Sequence, residues 1–250
     1  MAFCSGNPAV DRYIAGGFES VLGMSSRFAA TICAHVMRRQ TELGIGGHFA
    51  EIGTFEGRFF IAMALGLVAG ERALGIDTFD WPDTGLYDRF HANCARHGIA
   101  RDRYAVIKAR ACDLAPRQLA DVLRGPVRFI HIDGDHTPEH LLKDLALVES
   151  LMHPKGVICL DDMLHPGYPL LVAAVRDWLA QHPDMRVMCI IDREDIVAAA
   201  KFLICRADAV PLFSDELMAA FAQQHYVIGG QFDGYSSVVL TPHPRLARVD

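Results

Sequence analysis

The sequence predicts an α/β protein whose core is a doubly wound, mostly parallel sheet of seven strands with helices on both faces. From residue 46 onward, short apolar runs alternate with segments of helical spacing, the pattern of parallel strands joined by crossover helices. The runs are nearly continuous in apolar residues, as expected of strands that helices cover on both faces. Four of the first five runs also carry a carboxylate at or beside the carboxyl end.

The elements follow in a regular order, and capping residues mark several of their ends. Residues 10–22 and 25–43 have helical spacing, and a serine at 25 or 26 is suited to cap the second helix. A Thr-Pro-Glu sequence at 137–139 starts a later helix. The predicted strands are 48–52, 73–76, 104–108, 127–132, 157–160, 187–191 and 201–205. The other predicted helices are 58–68, 87–97, 116–123, 138–152, 169–181 and 214–225, and 236–240 is a further β-like segment.

We expect these elements to form a single domain over residues 1–250. Residues 1–45 are its N-terminal helical cap, 46–206 its core with the binding site, and 207–250 a C-terminal extension. No linker-like segment interrupts the core. The cap and the extension are the candidate interfaces of a homo-oligomer.

The composition argues against several classes of protein. Hydrophobic residues make up 51% of the 250 residues and charged residues 22%, which is too apolar for a disordered chain. The best apolar run, 59–70, is well short of the about 20 residues that cross a membrane as a helix. A formal net charge of −6 argues against a general phosphate-binding surface. We therefore expect neither a membrane nor a nucleic acid as a partner.

The cysteines indicate a reducing compartment. The chain has seven of them and no Cys-x-x-Cys pair, and Cys159, Cys189 and Cys205 lie within apolar runs, where we expect core residues. The N-terminus lacks the basic region and apolar block of a secretory signal. We expect a cytoplasmic protein.

The carboxylates that end the predicted strands should share the edge of the sheet at which ligands bind. They are Glu51, Asp77, Asp133, Asp161 and Asp162. Each alone is as well explained by a helix cap, but four strands that end alike favour a common role. Mutual repulsion would raise some of their pKa values unless a cation were present. We therefore expect a cationic ligand, a metal ion or both.

The turn after the first strand favours a nucleoside that carries no phosphate. It contains Gly53 and Gly57, which let the backbone turn sharply and approach a ligand. It departs from the G-x-G-x-x-G dinucleotide pattern at Phe55, and Glu56 would repel a pyrophosphate. Asp77, at the end of the second strand, is suited to accept hydrogen bonds from ribose hydroxyls.

These residues resemble the class I S-adenosylmethionine (SAM)-dependent methyltransferases, which have a Rossmann-like fold. The turn 51–57 is similar to their first motif, and the Ile-Asp pair that ends the second strand is similar to their second. The resemblance implies that Gly53 and Gly57 shape the loop beside the methionine part of SAM. It implies that Glu51 helps to hold the amino group and Asp77 the ribose. The cofactor-binding residues that it implies are Glu51, Gly53, Thr54, Gly57, Asp77 and Asp133.

A longer stretch narrows the resemblance to one group of methyltransferases. Residues 129–145, which begin Phe-Ile-His-Ile-Asp-Gly-Asp-His, and 156–162, which end in Asp-Asp, are similar to small-molecule O-methyltransferases. That group is related to the sugar O-methyltransferases of macrolide and aminocoumarin pathways and to cephalosporin hydroxylase-like proteins. The resemblance covers about residues 20–206 and implies methylation of a small-molecule hydroxyl of the sugar or phenol type.

The same resemblance implies a metal site and a catalytic base. In metal-dependent relatives three oxygen ligands come from the ends of the fourth and fifth strands, where this chain has Asp133, Asp161 and Asp162. Three carboxylates suit Mg²⁺ or another hard divalent ion, which would bind the acceptor hydroxyl and lower its pKa. The implied base is Asp135 or His136, since sugar-methylating relatives have a candidate base at the first position and the catechol type has a lysine at the second.

Two other functions fit parts of the pattern. A non-haem iron oxidoreductase needs two imidazoles and one carboxylate. The candidates for it are His131, Asp133, His136 and His165. His131 lies inside a strand, where a histidine is more often a core residue. A non-catalytic nucleoside-binding protein would keep the fold and tolerate loss of Asp135 and His136.

Overall fold

Nine strands build one sheet in the computed structural model, which describes residues 4–242. They are β1 (His48–Ile52), β2 (Ala73–Asp77), β3 (Tyr104–Lys108), β4 (Val127–Ile132), β5 (Met152–Met163), β6 (Met185–Ile191), β7 (Ala200–Arg206), β8 (Gly230–Phe232) and β9 (Tyr235–Leu240). Their order across the sheet is β3-β2-β1-β4-β5-β7-β6-β9-β8. The strands from β3 to β5 in that order pair in parallel, whereas β7 runs antiparallel to both β5 and β6.

The predicted doubly wound, mostly parallel fold is confirmed, and the sheet has two strands more than the seven predicted. Both extra strands come from the C-terminal extension. β9 pairs in parallel with β6, and β8 forms an antiparallel hairpin with β9. β9 thereby satisfies backbone groups along β6 that would otherwise lie at an open edge.

Helices cover both faces of the sheet. Within residues 4–242 the α-helices are α1 (Pro8–Gly16), α2 (Arg27–Glu42), α3 (Arg58–Leu65), α4 (Leu86–Arg96), α5 (Pro116–Leu123), α6 (Pro138–Glu149), α7 (Leu170–Gln181) and α8 (Ser214–Ala220). α1, α2 and α3 pack together in one apolar cluster, and α5, α6 and α7 contribute to a second one. The sheet therefore lies between two apolar layers.

The N-terminal cap departs from its predicted form. The helix expected over 10–22 ends at Gly16, and a single 3-10 turn, Phe18–Ser20, follows it. The pair Gly16-Gly17 explains the break, because glycine is among the poorest helix formers. Val10 and Phe18 are fully buried in the cluster that α2 and α3 share, so this cap packs as part of the core.

Burial agrees with the predicted core cysteines. Cys159, Cys189 and Cys205 are fully buried free thiols. Of the described helices, none is both long enough and apolar enough to cross a membrane.

Candidate active site

The carboxyl ends of β1, β2 and β4 meet around a cavity of about 600 Å³. The predicted site residues that line it are Gly53, Asp77, Asp133, Asp135 and His136. Other predicted residues, Glu51, Thr54, Gly57, Asp161 and Asp162, are not part of its wall. The topology therefore brings the first turn, the end of β2 and the loop after β4 to one place.

Gly53 brings the first turn against the end of β4. Its φ is +83°, and a Cβ at this position would lie 1.8 Å from the carbonyl oxygen of Asp133. Gly57, with a φ of +92°, precedes α3, and a Cβ there would lie 3.1 Å from the ring of Phe90. Only glycine takes both conformations without strain and without crowding. The two glycines of the predicted motif therefore set the shape of the turn.

Asp77 ties the first turn to the end of β2. Its Oδ2 accepts a hydrogen bond of 2.8 Å from the backbone N–H of Phe55. Its Oδ1 accepts one of 2.8 Å from the backbone N–H of Phe79. The carboxylate is thus fixed in direction where it lines the cavity, a position compatible with the predicted ribose contact.

Two buried acceptors beside this turn lack a donor. Oε1 of Glu51 lies 2.7 Å from Nδ1 of His131, but Glu51 Oε2 has no hydrogen-bond partner among the described residues, and neither has Thr54 Oγ1. Burial raises the pKa of Glu51. Buried polar atoms without a partner are rare in folded proteins. A ligand that donates hydrogen bonds here would satisfy them.

Glu51 belongs to a buried set of side chains that we call the internal charge cluster: Glu51, His131, Asp161 and Lys201. Nε2 of His131 lies 3.5 Å from Oδ2 of Asp161 and 3.4 Å from Nζ of Lys201. Lys201 is 1% exposed and forms an ion pair with Asp161. His131 is fully buried, as predicted of a core histidine, and its ring lies 4.1 Å from that of Phe59.

The cluster balances its own charges. Burial opposes the charge of His131, but its hydrogen bonds to Asp161 and Glu51 outweigh burial and raise its pKa to about 9. Burial likewise opposes ionisation of Asp161, yet Lys201 and His131 hold its pKa below the usual range. Asp161 is therefore an anion whose countercharge the protein itself supplies.

Asp162, the next residue, has a different partner. Its Oδ2 lies 3.0 Å from Nδ1 of His136, and this hydrogen bond raises the pKa of His136. The ring of His136 packs against that of Tyr168, with centroids 4.4 Å apart. Nε2 of His136 has no partner among the described residues. The imidazole is thus oriented at one nitrogen and open at the other.

Asp135 is held less firmly. Its side chain is 49% exposed, and its Oδ2 lies 3.4 Å from Nδ1 of His140. A base must be positioned before its pKa matters. Of the two predicted bases, the geometry therefore favours His136.

The predicted metal ligands divide into two groups. Ligand atoms of His131, Asp133 and Asp161 lie within 4.8 Å of one another, and so do those of Asp133, His136 and Asp162. Burial, and next the charge of Asp161, raises the pKa of Asp133 to about 8. Oδ1 of Asp161 accepts the backbone N–H of Asp162 at 2.8 Å, and Oδ2 is paired with the lysine. As they stand, the three carboxylates do not fit a three-oxygen Mg²⁺ site.

The described residues do not form the iron site that the alternative oxidoreductase would need. Each group of potential metal ligands found among residues 4–242 contains one histidine. His165 packs against Tyr168 at 4.8 Å, and its Nδ1 accepts the backbone N–H of Gly167. The described residues therefore do not assemble two imidazoles with a carboxylate.

Sequence reasoning missed Lys201. It lies second in β7, an antiparallel strand, so the beginning of this strand meets the carboxyl ends of its neighbours. A signal was present, because Lys201 is a single charge at the start of an otherwise apolar run. A lysine is almost never fully buried without a partner.

Comparisons with known proteins agree with this geometry. Residues 50–163 match the family described as "Methyltransferase domain". The chain is similar to the O-methyltransferase TomG from Streptomyces achromogenes, which is involved in tomaymycin synthesis and was solved with SAM. The two are 20% identical with a TM-score of 0.58, and the match covers 80% of this chain and 89% of that one. An O-methyltransferase from Bacillus cereus, solved with S-adenosylhomocysteine (SAH), is 19% identical with a TM-score of 0.57. The match covers 79% of this chain and 88% of that one. CalS11, a TDP-rhamnose 3′-O-methyltransferase of calicheamicin biosynthesis, is 19% identical with a TM-score of 0.52. The match covers 70% of this chain and 76% of that one. None of the curated proteins matches the chain.

The matched segment and the cavity coincide. Residues 50–163 contain the last three residues of β1 and the whole of β2 to β5. They include Gly53, Asp77, Asp133, His136 and Asp162. The solved structures share the fold that brings these residues together. Residues 50–163 thus match a methyltransferase domain, and the chain has the fold of solved O-methyltransferases.

Proposed function

We propose that this protein is a methyltransferase that transfers the methyl group of SAM to a hydroxyl oxygen of a small molecule. The single observation that carries this proposal is the Asp162–His136 pair, because His136 lines the same cavity as Gly53 and Asp77. Methylation of a hydroxyl requires a bound cofactor and an oriented base at the same cavity. Here the turn with Gly53 and the imidazole of His136 line one cavity.

The residues beside the cavity fit SAM. The cofactor carries an ammonium group and ribose hydroxyls, and the structure offers the unpartnered Glu51 Oε2 and the Asp77 carboxylate. Gly53 and Gly57 let the turn lie against the backbone of Asp133 and the ring of Phe90, where a Cβ would collide or crowd, and so set the shape of the turn beside the cavity. When bound, SAM would supply a methyl group on a positively charged sulfur. As the acceptor oxygen bonds to the methyl carbon, the carbon–sulfur bond breaks and SAH is left.

His136 would act on the acceptor. Asp162 holds Nδ1 at 3.0 Å, so Nε2 is the atom that takes the proton of the acceptor hydroxyl. The raised pKa of His136 makes its neutral form a stronger proton acceptor than an unpaired histidine. Orientation of the two reactants inside one cavity lowers the barrier further, by up to about 7–11 kcal/mol in well-aligned systems.

The mouth of the cavity favours an acceptor with an apolar body. Trp81 and Met24 line it and are 66% and 44% exposed, and the Trp81 ring lies 5.7 Å from that of Phe55. Exposed aromatic side chains beside a cavity are typical of ligand contacts. TomG and CalS11, which have this fold, are named for tomaymycin synthesis and for a TDP-sugar acceptor. We propose a phenol or a sugar attached to an apolar group as the acceptor class.

Ligand-induced stabilisation followed by an activity screen tests the proposal. We expect SAM and SAH, but not NAD⁺, to raise the melting temperature, since a ligand at 100 times its Kd stabilises a fold by about 2.7 kcal/mol. Isotope-labelled SAM with a panel of phenols and glycosides should then yield labelled O-methyl products. No stabilisation by either adenosyl compound would contradict the proposal. Binding without transfer to any acceptor would favour a non-catalytic nucleoside-binding protein.

A further inference from the structure

We propose that Lys201 takes the charge-balancing place of a divalent metal ion, so that this enzyme binds no metal at its carboxylate edge. The inference rests on the proposed methyl transfer, since it concerns the same edge of the sheet. It is carried by three contacts, at Asp161, at Asp162 and at the start of β7.

The first contact gives both carboxylate oxygens of Asp161 a partner within the protein. Lys201 places its ammonium group on Oδ2, and the backbone N–H of Asp162 donates to Oδ1. Both side chains of the ion pair are buried, at 1% and 8% exposure. Removing one partner of such a pair leaves an uncompensated buried charge. A metal ion could use Asp161 only by displacing the lysine at that cost.

The second contact engages Asp162. Its Oδ2 faces Nδ1 of His136 at 3.0 Å, and Tyr168 packs against the same imidazole ring. Two of the three predicted metal ligands are therefore bound to nitrogen donors of the protein. Only the carboxylate of Asp133 remains, and one carboxylate is too few for the all-oxygen site of a hard cation.

The third contact holds the ammonium group in place. Nζ of Lys201 also lies 3.3 Å from Oγ of Ser25 and 3.4 Å from Nε2 of His131, with the ring of Phe59 5.3 Å away. These neighbours come from separate elements of the fold, so the position is built rather than incidental. A divalent ion beside this fixed positive charge would be repelled at close range.

Binding of Mn²⁺ tests the inference without any acceptor. The full chain, treated with a chelator and then saturated with SAH, would be titrated with Mn²⁺ while electron paramagnetic resonance measures the free ion. We expect no saturable binding to the wild type up to about 1 mM, the weak end of biological divalent sites. Lys201→Met, which keeps the length but removes the charge, should gain a single site at least about tenfold tighter, a change of about 1.4 kcal/mol.

Two matched variants separate charge from structure. Lys201→Arg keeps the positive charge and should resemble the wild type. Lys201→Met combined with Asp161→Asn removes both charges and should fold without gaining Mn²⁺. Saturable wild-type binding, or a folded Lys201→Met that gains none, would overturn the inference. Should Lys201→Met not fold, the wild-type and Lys201→Arg titrations decide alone: saturable binding in either overturns the inference and its absence in both supports it.

The same samples keep this inference apart from the proposed function. The shift in melting temperature on adding SAH reports the cofactor site, and the Mn²⁺ signal reports the carboxylate edge. Loss of the SAH shift with no Mn²⁺ binding would contradict the proposed function and leave the metal result standing. A normal SAH shift with saturable Mn²⁺ binding would do the opposite.

Discussion

Gly53 and Asp133 lie against each other just beyond the ends of the adjacent strands β1 and β4, where the first turn meets the backbone that follows β4. A Cβ on Gly53 would lie 1.8 Å from the carbonyl oxygen of Asp133. The contact is between main chains, so no change of side-chain rotamer can relieve it. The two loops that build the cavity are therefore coupled at one position.

We expect Gly53→Ala to abolish SAH binding and to destabilise the fold. Gly70→Ala is the matched control, because Gly70 also has a positive φ (+86°) but no atom lies within 4 Å of the place that its Cβ would take. The control should cost about 1–2 kcal/mol, the usual penalty for this backbone region, and leave SAH binding intact. Urea denaturation and calorimetric titration with SAH measure the two effects. Equal losses in both variants would mean that the Asp133 contact is unimportant.

Asp77→Asn should weaken SAM binding by roughly tenfold or more, as expected when a charge-assisted hydrogen bond of about 1.5–3 kcal/mol is lost. The change also replaces an acceptor of the Phe55 or Phe79 N–H by an amide N–H. Asp88→Asn, an exposed change on α4, is the control and should bind SAM normally. Calorimetric titration gives both Kd values, and unchanged affinity in Asp77→Asn would remove this residue from the cofactor site.

His136→Gln should lower kcat by about 10²–10⁴-fold, the range for loss of a general base, with little change in SAH affinity. Asp162→Asn should lower kcat less, because the base remains but loses its orienting carboxylate. Steady-state kinetics on an acceptor found in the screen measures both, with Glu139→Gln on the exposed face of α6 as control. A larger loss in Asp135→Asn than in His136→Gln would assign the base to Asp135 instead.

Asp144→Asn should stabilise the protein at high pH. Asp144 is 3% exposed, and burial, with the charge of Asp135, raises its pKa to about 7. The folded state therefore binds this proton more tightly than the unfolded chain, and the free energy of unfolding falls as the pH rises from about 4 to 7. At pH 8 the amide should be more stable by up to about 4 kcal/mol, because the pKa differs by about three units at about 1.4 kcal/mol each, and near pH 5 the difference should shrink.

Urea denaturation at both pH values checks the Asp144 prediction. Asp121→Asn, whose side chain is 74% exposed, is the control and should show no pH-dependent difference from the wild type. A stability difference for Asp144→Asn that stays constant between pH 5 and pH 8 would argue that titration of this carboxyl is not its cause.

Local signals explain why the core of the fold could be predicted. Apolar runs mark β1 to β7, a carboxylate lies at or beside the carboxyl ends of β1, β2, β4 and β5, and Thr137-Pro138 starts α6 as expected. Of the two strands of the extension, β9 corresponds to the β-like segment predicted at 236–240, whereas β8 lacks such a signal. β8 has three residues, and its pairing with β9 depends on a distant edge that β6 leaves open. Pairing partners of this kind are decided by tertiary structure, not by the run itself.

The candidate site was predictable in its position and less so in its contacts. The acids after β1, β2, β4 and β5 were expected at one edge, because parallel strands end together. Asp161 and Asp162 were expected to act together, yet Asp162 has a φ of +57° at an irregularity of β5, and the two carboxylates have different partners. The role of Lys201 was not predicted, because the direction of a strand cannot be inferred from the run 201–205 alone.

The two outermost strands have a consequence for association between copies of the chain. β3, at one edge, has five residues and ends in Lys108, and β8, at the other, has three. Short edges and a lysine are poor templates for a strand from a second molecule. The sheet is thus protected against edge-to-edge aggregation, and a specific dimer of this protein would have to be built from its helices and loops.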